Sequence, residues 1–268
     1  MNYKDIIARN FSRAARTYDE YAIFQNGLAQ KLKAQILEEA EAADAILDAG
    51  TGTGTLAIEL AKPLPKSSIY GCDIAGEMLR VAKEKIASSK VSNFNCMQAD
   101  VEHLPYRNSS FNIVVSNMAL HWACDIEGAL AELARVLANG GWLFVSVAAQ
   151  EMLFELHRST ALAAAKSGIN ISNDLPRFPS NEVIVEHLRD LNICEITTTQ
   201  VEEKLYYKSP RELLLSLKRT GTNRFAKTDG APLPASLLSR AMEIYEKEYG
   251  NGNGICATFK ALLIRARK

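Results

Sequence analysis

Ile46-Leu47-Asp48-Ala49-Gly50-Thr51-Gly52-Thr53-Gly54-Thr55 packs a strand, a glycine turn and the start of a helix into one short run. Apart from Asp48, its first five residues are apolar or small, the composition of a parallel strand covered on both faces. Three glycines then alternate with threonine, and Leu56 to Lys62 takes up a helical pattern. Glycine lets the backbone turn tightly and puts no side chain between the peptide groups and a ligand. Strand, glycine turn and helix make half of a nucleotide-binding unit. The spacing Gly50-x-Gly52-x-Gly54 departs from the G-x-G-x-x-G of dinucleotide-binding folds, which argues against a nicotinamide cofactor.

The pattern continues downstream. Strands are predicted at Ser68–Asp73, Asn93–Met97, Phe111–Asn117 and Trp142–Val147, with helices at Glu77–Ala87 and Ile126–Leu137 between them. Asn139-Gly140-Gly141 reads as the left-handed cap that closes the second of these helices. Such alternation implies right-handed crossovers and a parallel sheet. A ligand then belongs beyond the carboxyl ends of the strands, where the sheet order reverses. Those ends supply Asp48 with Gly50, Gly52 and Gly54, then Asp73, Asp100 and Asn117. Asp73 stands where an acid meets ribose hydroxyls in a doubly wound fold.

Upstream, residues 2–20 read as a single one-faced helix, with Ile6, Ile7, Phe11, Ala14, Ala15 and Tyr18 on the apolar side. A second helix is expected from Ile23 to Ala42. Both precede the first strand, so they must cover the sheet or its open end. After residue 150 the regularity loosens. A helix at 151–168, a polar segment at 170–181 and another helix lead to a strand-like run from Ile193 to Tyr207. Two helical patterns flank a polar turn at Thr228–Pro234, and Ile255–Ile264 reads as a last strand. The expectation is one α/β domain over residues 1–268 with a mostly parallel seven-stranded sheet. Residues 1–42 would be a helical cover, 43–150 the cofactor-binding half and 151–268 a substrate-side elaboration.

A chain of 268 residues buries an adequate core without disulfides or a structural metal. Lysine plus arginine equals aspartate plus glutamate at 31 each, so no global field draws in nucleic acid. The five cysteines are dispersed, without a C-x-x-C pair, and Cys72, Cys96 and Cys194 fall in apolar strand-like runs. They read as small buried hydrophobes of a reducing compartment rather than as metal ligands. Met1 to Asp19 lacks the apolar core of a signal peptide, and no apolar run approaches a membrane span. A soluble, cytoplasmic protein with no metal site and no membrane partner is expected.

Leu47 to Gly54, Ala99-Asp100-Val101-Glu102-His103-Leu104-Pro105 and Ser116-Asn117-Met118-Ala119-Leu120-His121-Trp122 together resemble the class I S-adenosylmethionine-dependent methyltransferases, a Rossmann-like fold. Phe11-Ser12-Arg13-Ala14-Ala15-Arg16-Thr17-Tyr18-Asp19 looks like the N-terminal signature of the malonyl-acyl-carrier-protein O-methyltransferases of biotin synthesis. Glu132 to Leu137 and Leu215 to Gly221 look like two further segments of that family. The sequence departs from the family pattern at Thr51, where cysteine is common, at Thr222 after Gly221, and at Phe259 in the last strand.

The resemblance implies S-adenosylmethionine as cofactor. Asp48, Gly50, Gly52 and Gly54 would sit near its methionine part, Asp73 at the ribose, Asp100 and Val101 at the adenine, and Asn117 beside them. It also implies an acyl carrier protein bearing a malonyl thioester as partner, methylated on its free carboxylate. Tyr18 is the first candidate beside the reacting centre, where its hydroxyl would donate to the carboxylate; an interior aromatic on an amphipathic helix is the other reading. Arg13 and Lys218 are candidates for holding the carboxylate or the carrier's phosphate, against a solvated-face reading for each. His121 and Trp122 should lie near the methyl donor, with Trp122 more a packing residue. Lys204, Lys208, Arg211, Lys218, Arg219, Arg224 and Lys227 form a local basic region suited to an acidic carrier protein. The rival readings are a methyltransferase for a quinone or a free carboxylic acid, and a non-catalytic cofactor-binding subunit.

Overall fold

Ile46 and Leu47, both with no exposed surface, point to opposite faces of β1 (Ala45–Ala49), the strand that the apolar run forms. In the computed structural model, which describes residues 3–169, 180–222 and 233–268, this strand is an inner strand, third from one edge, of a seven-stranded sheet. Its neighbours are β2 (Ser68–Asp73) and β4 (Phe111–Asn117), both parallel to it. β3 (Phe94–Gln98) lies outside β2, and β5 (Leu137–Ala148) lies outside β4, again parallel. β7 (Ile255–Arg267) is antiparallel to β5 and to the outer strand β6 (Cys194–Tyr207). The order is β3-β2-β1-β4-β5-β7-β6, so the chain reverses direction across the sheet between β1 and β4. That reversal opens a crevice at the carboxyl ends of β1 and β4.

Alternate residues of the central strands feed two cores. Ile46, Ile69, Ile113 and Phe144 face one layer, with α3 (Ile23–Glu39) and α4 (Thr55–Ala61) against them through Phe24, Leu28, Leu56 and Leu60. Leu47, Val114, Leu143 and Val145 face the other, covered by α6 (Ile126–Val136) and α8 (Asn181–Asp190) through Leu130, Leu133, Ile184 and Leu188. α5 (Gly76–Ser88) follows β2, α7 (Phe154–Ser167) follows β5, and α9 (Pro210–Arg219) and α10 (Ala235–Tyr249) lie between β6 and β7. Ser209 caps α9 by accepting the Glu212 N–H at 3.3 Å, while Glu212 reaches back to the Lys208 N–H at 2.5 Å. This is a variant of the reciprocal Ser-x-x-Glu pairing at a helix start, with the glutamate taking the N–H of the residue before the cap rather than that of the cap itself.

Three sequence expectations need correcting. The single helix over residues 2–20 is two helices, α1 (Tyr3–Ala14) and α2 (Tyr18–Tyr21). The break falls where the Thr17 hydroxyl turns back to the Ala14 carbonyl at 3.1 Å, offering the chain a local alternative to the helix. Asn139-Gly140-Gly141 does not cap α6; it lies inside β5, which starts at Leu137. Gly140 does take the left-handed conformation, but its N–H pairs with the Lys268 carbonyl at 2.8 Å, and the glycines accompany a shift in the β4–β5 register. Lastly, Cys72 is buried and Cys96 half-buried, but Cys194 is exposed, because it opens the edge strand β6. Cys124 is exposed as well. The polar segment at 170–179 and most of the Thr228–Pro234 turn lie outside the described residues. Among the described residues no helix is long and apolar enough to cross a membrane.

Candidate active site

The turn after β1 is built from the backbone. The N–H groups of Gly50 and Thr51 both donate to the Cys72 carbonyl at 2.8 Å, which fastens the turn to β2. Gly50 has φ +79°, and a Cβ there would stand 2.3 Å from the Ala119 methyl, so only glycine fits. Gly52 has φ +56° but would find nothing within 4 Å of an added Cβ; its bare face looks into open space. Gly54 begins α4 and lines none of the cavities described below.

Two carboxylates hold the turn from below. Asp48 is buried and accepts the Thr51 hydroxyl at 2.8 Å. Burial raises its pKa to about 7 against the lowering effect of that bond, with the Asp73 charge adding to the rise. Asp73, at the end of β2, accepts the Gly52 N–H at 2.9 Å and the Ala75 N–H at 2.8 Å. Burial pushes its pKa up to about 6, with the two N–H groups opposing.

Three adjoining cavities surround the turn. The first, with about 680 Å³ of empty space, is lined by Gly50, Gly52, Asp73, Asp100, Val101 and Asn117, with α1 side chains including Lys4 and Phe11 over it. The third runs along the other side of the turn past Asp48 and Thr53. The second lies toward the sheet end of β5 and β7, about 690 Å³, lined by Met152, Leu153, Leu217 and Phe259 with Gln25, His121, His157 and Thr222 among its polar groups. Phe11, Tyr18, Met118 and Trp122 line both the first and the second. Their rings pack edge to face, Phe11 on Trp122 at 5.5 Å and Phe11 tilted on Tyr18 at 6.4 Å. These four side chains form the partition through which the two spaces meet. Tyr18 alone of them lines the third cavity too.

The structure thus gathers Tyr18, Asp48, Gly50, Gly52, Asp73, Asp100, Val101 and Asn117 in one place. It does not bring Arg13 or Lys218 there: both are exposed and line none of these cavities. Arg13 is on the solvent side of α1, and Lys218 is on the outer face of α9, whose inner face buries Leu213 and Leu217.

A methyltransferase domain model matches residues 47–145, the half that carries the turn and its carboxylates. The malonyl-acyl-carrier-protein O-methyltransferase of Bacillus cereus is 32% identical, covering 99% of this chain and 97% of its own. The chain belongs to the malonyl-acyl-carrier-protein O-methyltransferase family. Solved structures agree on the fold. The YcgJ protein of Bacillus subtilis superposes with a TM-score of 0.64 at 21% identity, over 89% of this chain and 98% of that one. Phosphoethanolamine N-methyltransferase 2 of Haemonchus contortus, in complex with S-adenosyl-L-methionine, gives 0.62 at 16% identity over all of this chain and 60% of that one.

In this family member Lys4, Gln25 and His157, all at the site, carried no sequence signal. Lys4 donates to Asp100 at 2.6 Å and pairs with Glu102 at 2.9 Å, so the acid expected at the adenine already meets a cation. Gln25 is buried, and its carbonyl accepts the Asn117 amide at 3.1 Å, while the Asn117 oxygen accepts the Ser146 hydroxyl at 2.7 Å. The Ala148 N–H donates to His121 Nδ1 at 3.5 Å. Burial lowers the pKa of His121 to about 3 and of His157 to about 4, so both rings are neutral at pH 7. Burial, with the Asp73 and Asp19 charges, raises the Tyr18 phenol above its ordinary value, so it stays a donor.

Proposed function

We propose that the protein transfers a methyl group from S-adenosylmethionine to the free carboxylate of a malonyl thioester on acyl carrier protein, giving the methyl ester and S-adenosylhomocysteine. The observation that carries this reading is the shared partition: Phe11, Tyr18, Met118 and Trp122 line the cavity beside the glycine turn and also the neighbouring one. The bare face of Gly52 and the carboxylates of Asp73 and Asp100 suit the donor's uncharged and hydroxyl-bearing parts. When bound there, the donor supplies an electrophilic methyl group on a sulfonium.

What the chain's own residues must do is limited. A malonyl carboxylate is ionised at pH 7, so no general base is required. Charge is neutralised as the methyl moves, so excluding water favours the reaction, and Phe11, Trp122, Met118 and Phe259 supply apolar walls. Among the described residues, the polar groups lining the second cavity belong to the neutral side chains of Tyr18, Gln25, His121, Trp122, His157 and Thr222. Neutral donors orient a carboxylate without the strong ground-state hold of a buried guanidinium. Tyr18, at the partition, is the donor placed to align the attacking oxygen. Arg13 and Lys218 fit contacts with the carrier rather than with the carboxylate, since both are exposed. Masking the carboxylate lets chain-elongation enzymes take the product as a primer, the step that the family's place in biotin synthesis requires.

Incubation with methyl-labelled donor and malonyl-carrier protein, beside malonyl-coenzyme A and free malonate, tests the assignment. Label is expected in base-labile ester on the carrier. Label on no malonyl thioester would exclude it.

A further inference from the structure

Asp19 follows Tyr18 in the chain, yet its carboxylate reaches the glycine turn rather than the partition. Its Oδ1 accepts the Thr53 hydroxyl at 2.5 Å and the Thr55 hydroxyl at 3.1 Å, and its Oδ2 accepts from Lys85 Nζ at 2.8 Å. The same ammonium donates to Thr55 Oγ1 at 2.6 Å and to Thr53 Oγ1 at 3.2 Å. The hydrogens are fully used: three on the ammonium and one on each hydroxyl match these contacts one for one. The network joins α2, the turn with the start of α4, and α5.

A single half-exposed ion pair counts for little. What gives this one weight is the element it holds. α2 is four residues long, has no fully buried residue and has no side-chain cap. A helix so short has no stability of its own, so outside contacts set its orientation. Besides Asp19 these include the Thr17 hydroxyl on the Arg219 carbonyl at 2.8 Å, the Asn26 amide on the Asp19 carbonyl at 3.2 Å, the Arg219 guanidinium 5.3 Å over the Tyr21 ring and the Phe11 ring 6.4 Å from Tyr18. Successive helical residues are about 100° apart around the axis, so fixing Asp19 on the turn fixes the direction in which Tyr18 leaves it. Tyr18 in turn lines all three cavities.

We propose that Asp19 is a positioning residue for methyl transfer, clamping α2 to Thr53, Thr55 and Lys85 so that Tyr18 stands at the partition. The proposal rests on reading that partition as the place of transfer.

The test combines a placement readout with kinetics. With 3-fluorotyrosine in place of the nine tyrosines, the Tyr18 fluorine resonance is assigned by its loss in Tyr18→Phe. In Asp19→Ala this resonance is expected to shift and broaden while the melting temperature and donor affinity stay near wild type. Turnover at saturating substrates is expected to fall about ten- to a hundredfold in Tyr18→Phe and in Asp19→Ala, with the double variant no slower than the slower of the two. Asp19→Asn, which keeps an acceptor for the hydroxyls, and Lys85→Met should each lie between, and they serve if Asp19→Ala folds poorly. An unmoved fluorine resonance, or single losses that multiply in the double variant, would overturn the proposal. If Tyr18→Phe alone keeps full turnover, the partition reading fails instead, and the fluorine resonance by itself decides whether Asp19 places Tyr18.

Discussion

A methyl group added at Gly50 and one added at Gly52 meet different surroundings, although the two glycines look alike in sequence. At Gly50 it would overlap Ala119 at 2.3 Å in a backbone conformation that costs about 1–3 kcal/mol for other residues. At Gly52 it would pay only the backbone cost and project into the cavity. Gly50→Ala is therefore expected to lower the melting temperature markedly, and Gly52→Ala to melt nearly normally yet bind donor at least tenfold more weakly by calorimetry. Equal effects on both measurements would mean that the turn moves as one piece. Asp73 adds a pH dependence. Its folded pKa of about 6 lies above the ordinary carboxylate value, so the folded protein binds the extra proton between roughly 4 and 6, and its contribution to stability falls as pH rises through that window. Ribose hydroxyls donate more strongly to an ionised carboxylate than to the neutral acid, so donor affinity should be full well above pH 6 and weaken as pH falls through it. Titrating the donor dissociation constant from pH 5 to 8 checks this, and Asp73→Asn should flatten that step. These residues were legible in the sequence because turn chemistry and strand ends are local. Lys4 was not, because nothing local ties a lysine of the first helix to Asp100, which lies 96 positions along the chain.

The elements show the same divide. Buried parallel strands announce themselves by apolar composition, and β1, β2 and β4 fall within a residue of their expected bounds, as does the shorter edge strand β3. The N-terminal cover does not, because an apolar stripe with helical spacing persists through Ala15 and Tyr18 even where a threonine hydroxyl has ended the helix. The Asn-Gly-Gly signal was right about the left-handed conformation and wrong about its setting, since a bulged strand uses the same backbone freedom as a helix cap. The break between α1 and α2 has a measurable consequence. Thr17 shares its single hydroxyl hydrogen between the Ala14 carbonyl at 3.1 Å and the Arg219 carbonyl at the end of α9 at 2.8 Å. Thr17→Val keeps the volume and removes both, which is expected to cost about 1 kcal/mol. For a domain of this size that is a fall of roughly 2–4 °C in melting temperature. An unchanged melt would show that α9 and the N-terminal cover are not fastened at this point in solution.

At the scale of the whole molecule, zero net charge leaves partner attraction to local surfaces. The basic region predicted over residues 204–227 resolves unevenly. Arg224 and Lys227 lie outside the described residues. Arg219 is half-buried, its guanidinium 5.3 Å above the Tyr21 ring, so reversing its charge would also disturb α2. On α9, by contrast, Arg211, Leu215 and Lys218 are all exposed and follow each other at steps of four and three, the spacing of one helix face. Leu215 is 45% exposed, an apolar side chain between two cations, and that combination suits an acidic partner that also offers an apolar contact. The opposite face of the same helix lines the second cavity through Leu217, so a carrier docked there stands close to where its malonyl group would enter. The double variant Arg211→Glu with Lys218→Glu should therefore raise the KM for malonyl-carrier protein by about tenfold and flatten its dependence on ionic strength. Malonyl-coenzyme A has no protein surface to dock, so its kinetics should change less than about twofold. A rise shared equally by both thioesters would place these cations at the substrate's phosphate instead, and no rise for either would leave the face without a part in carrier binding.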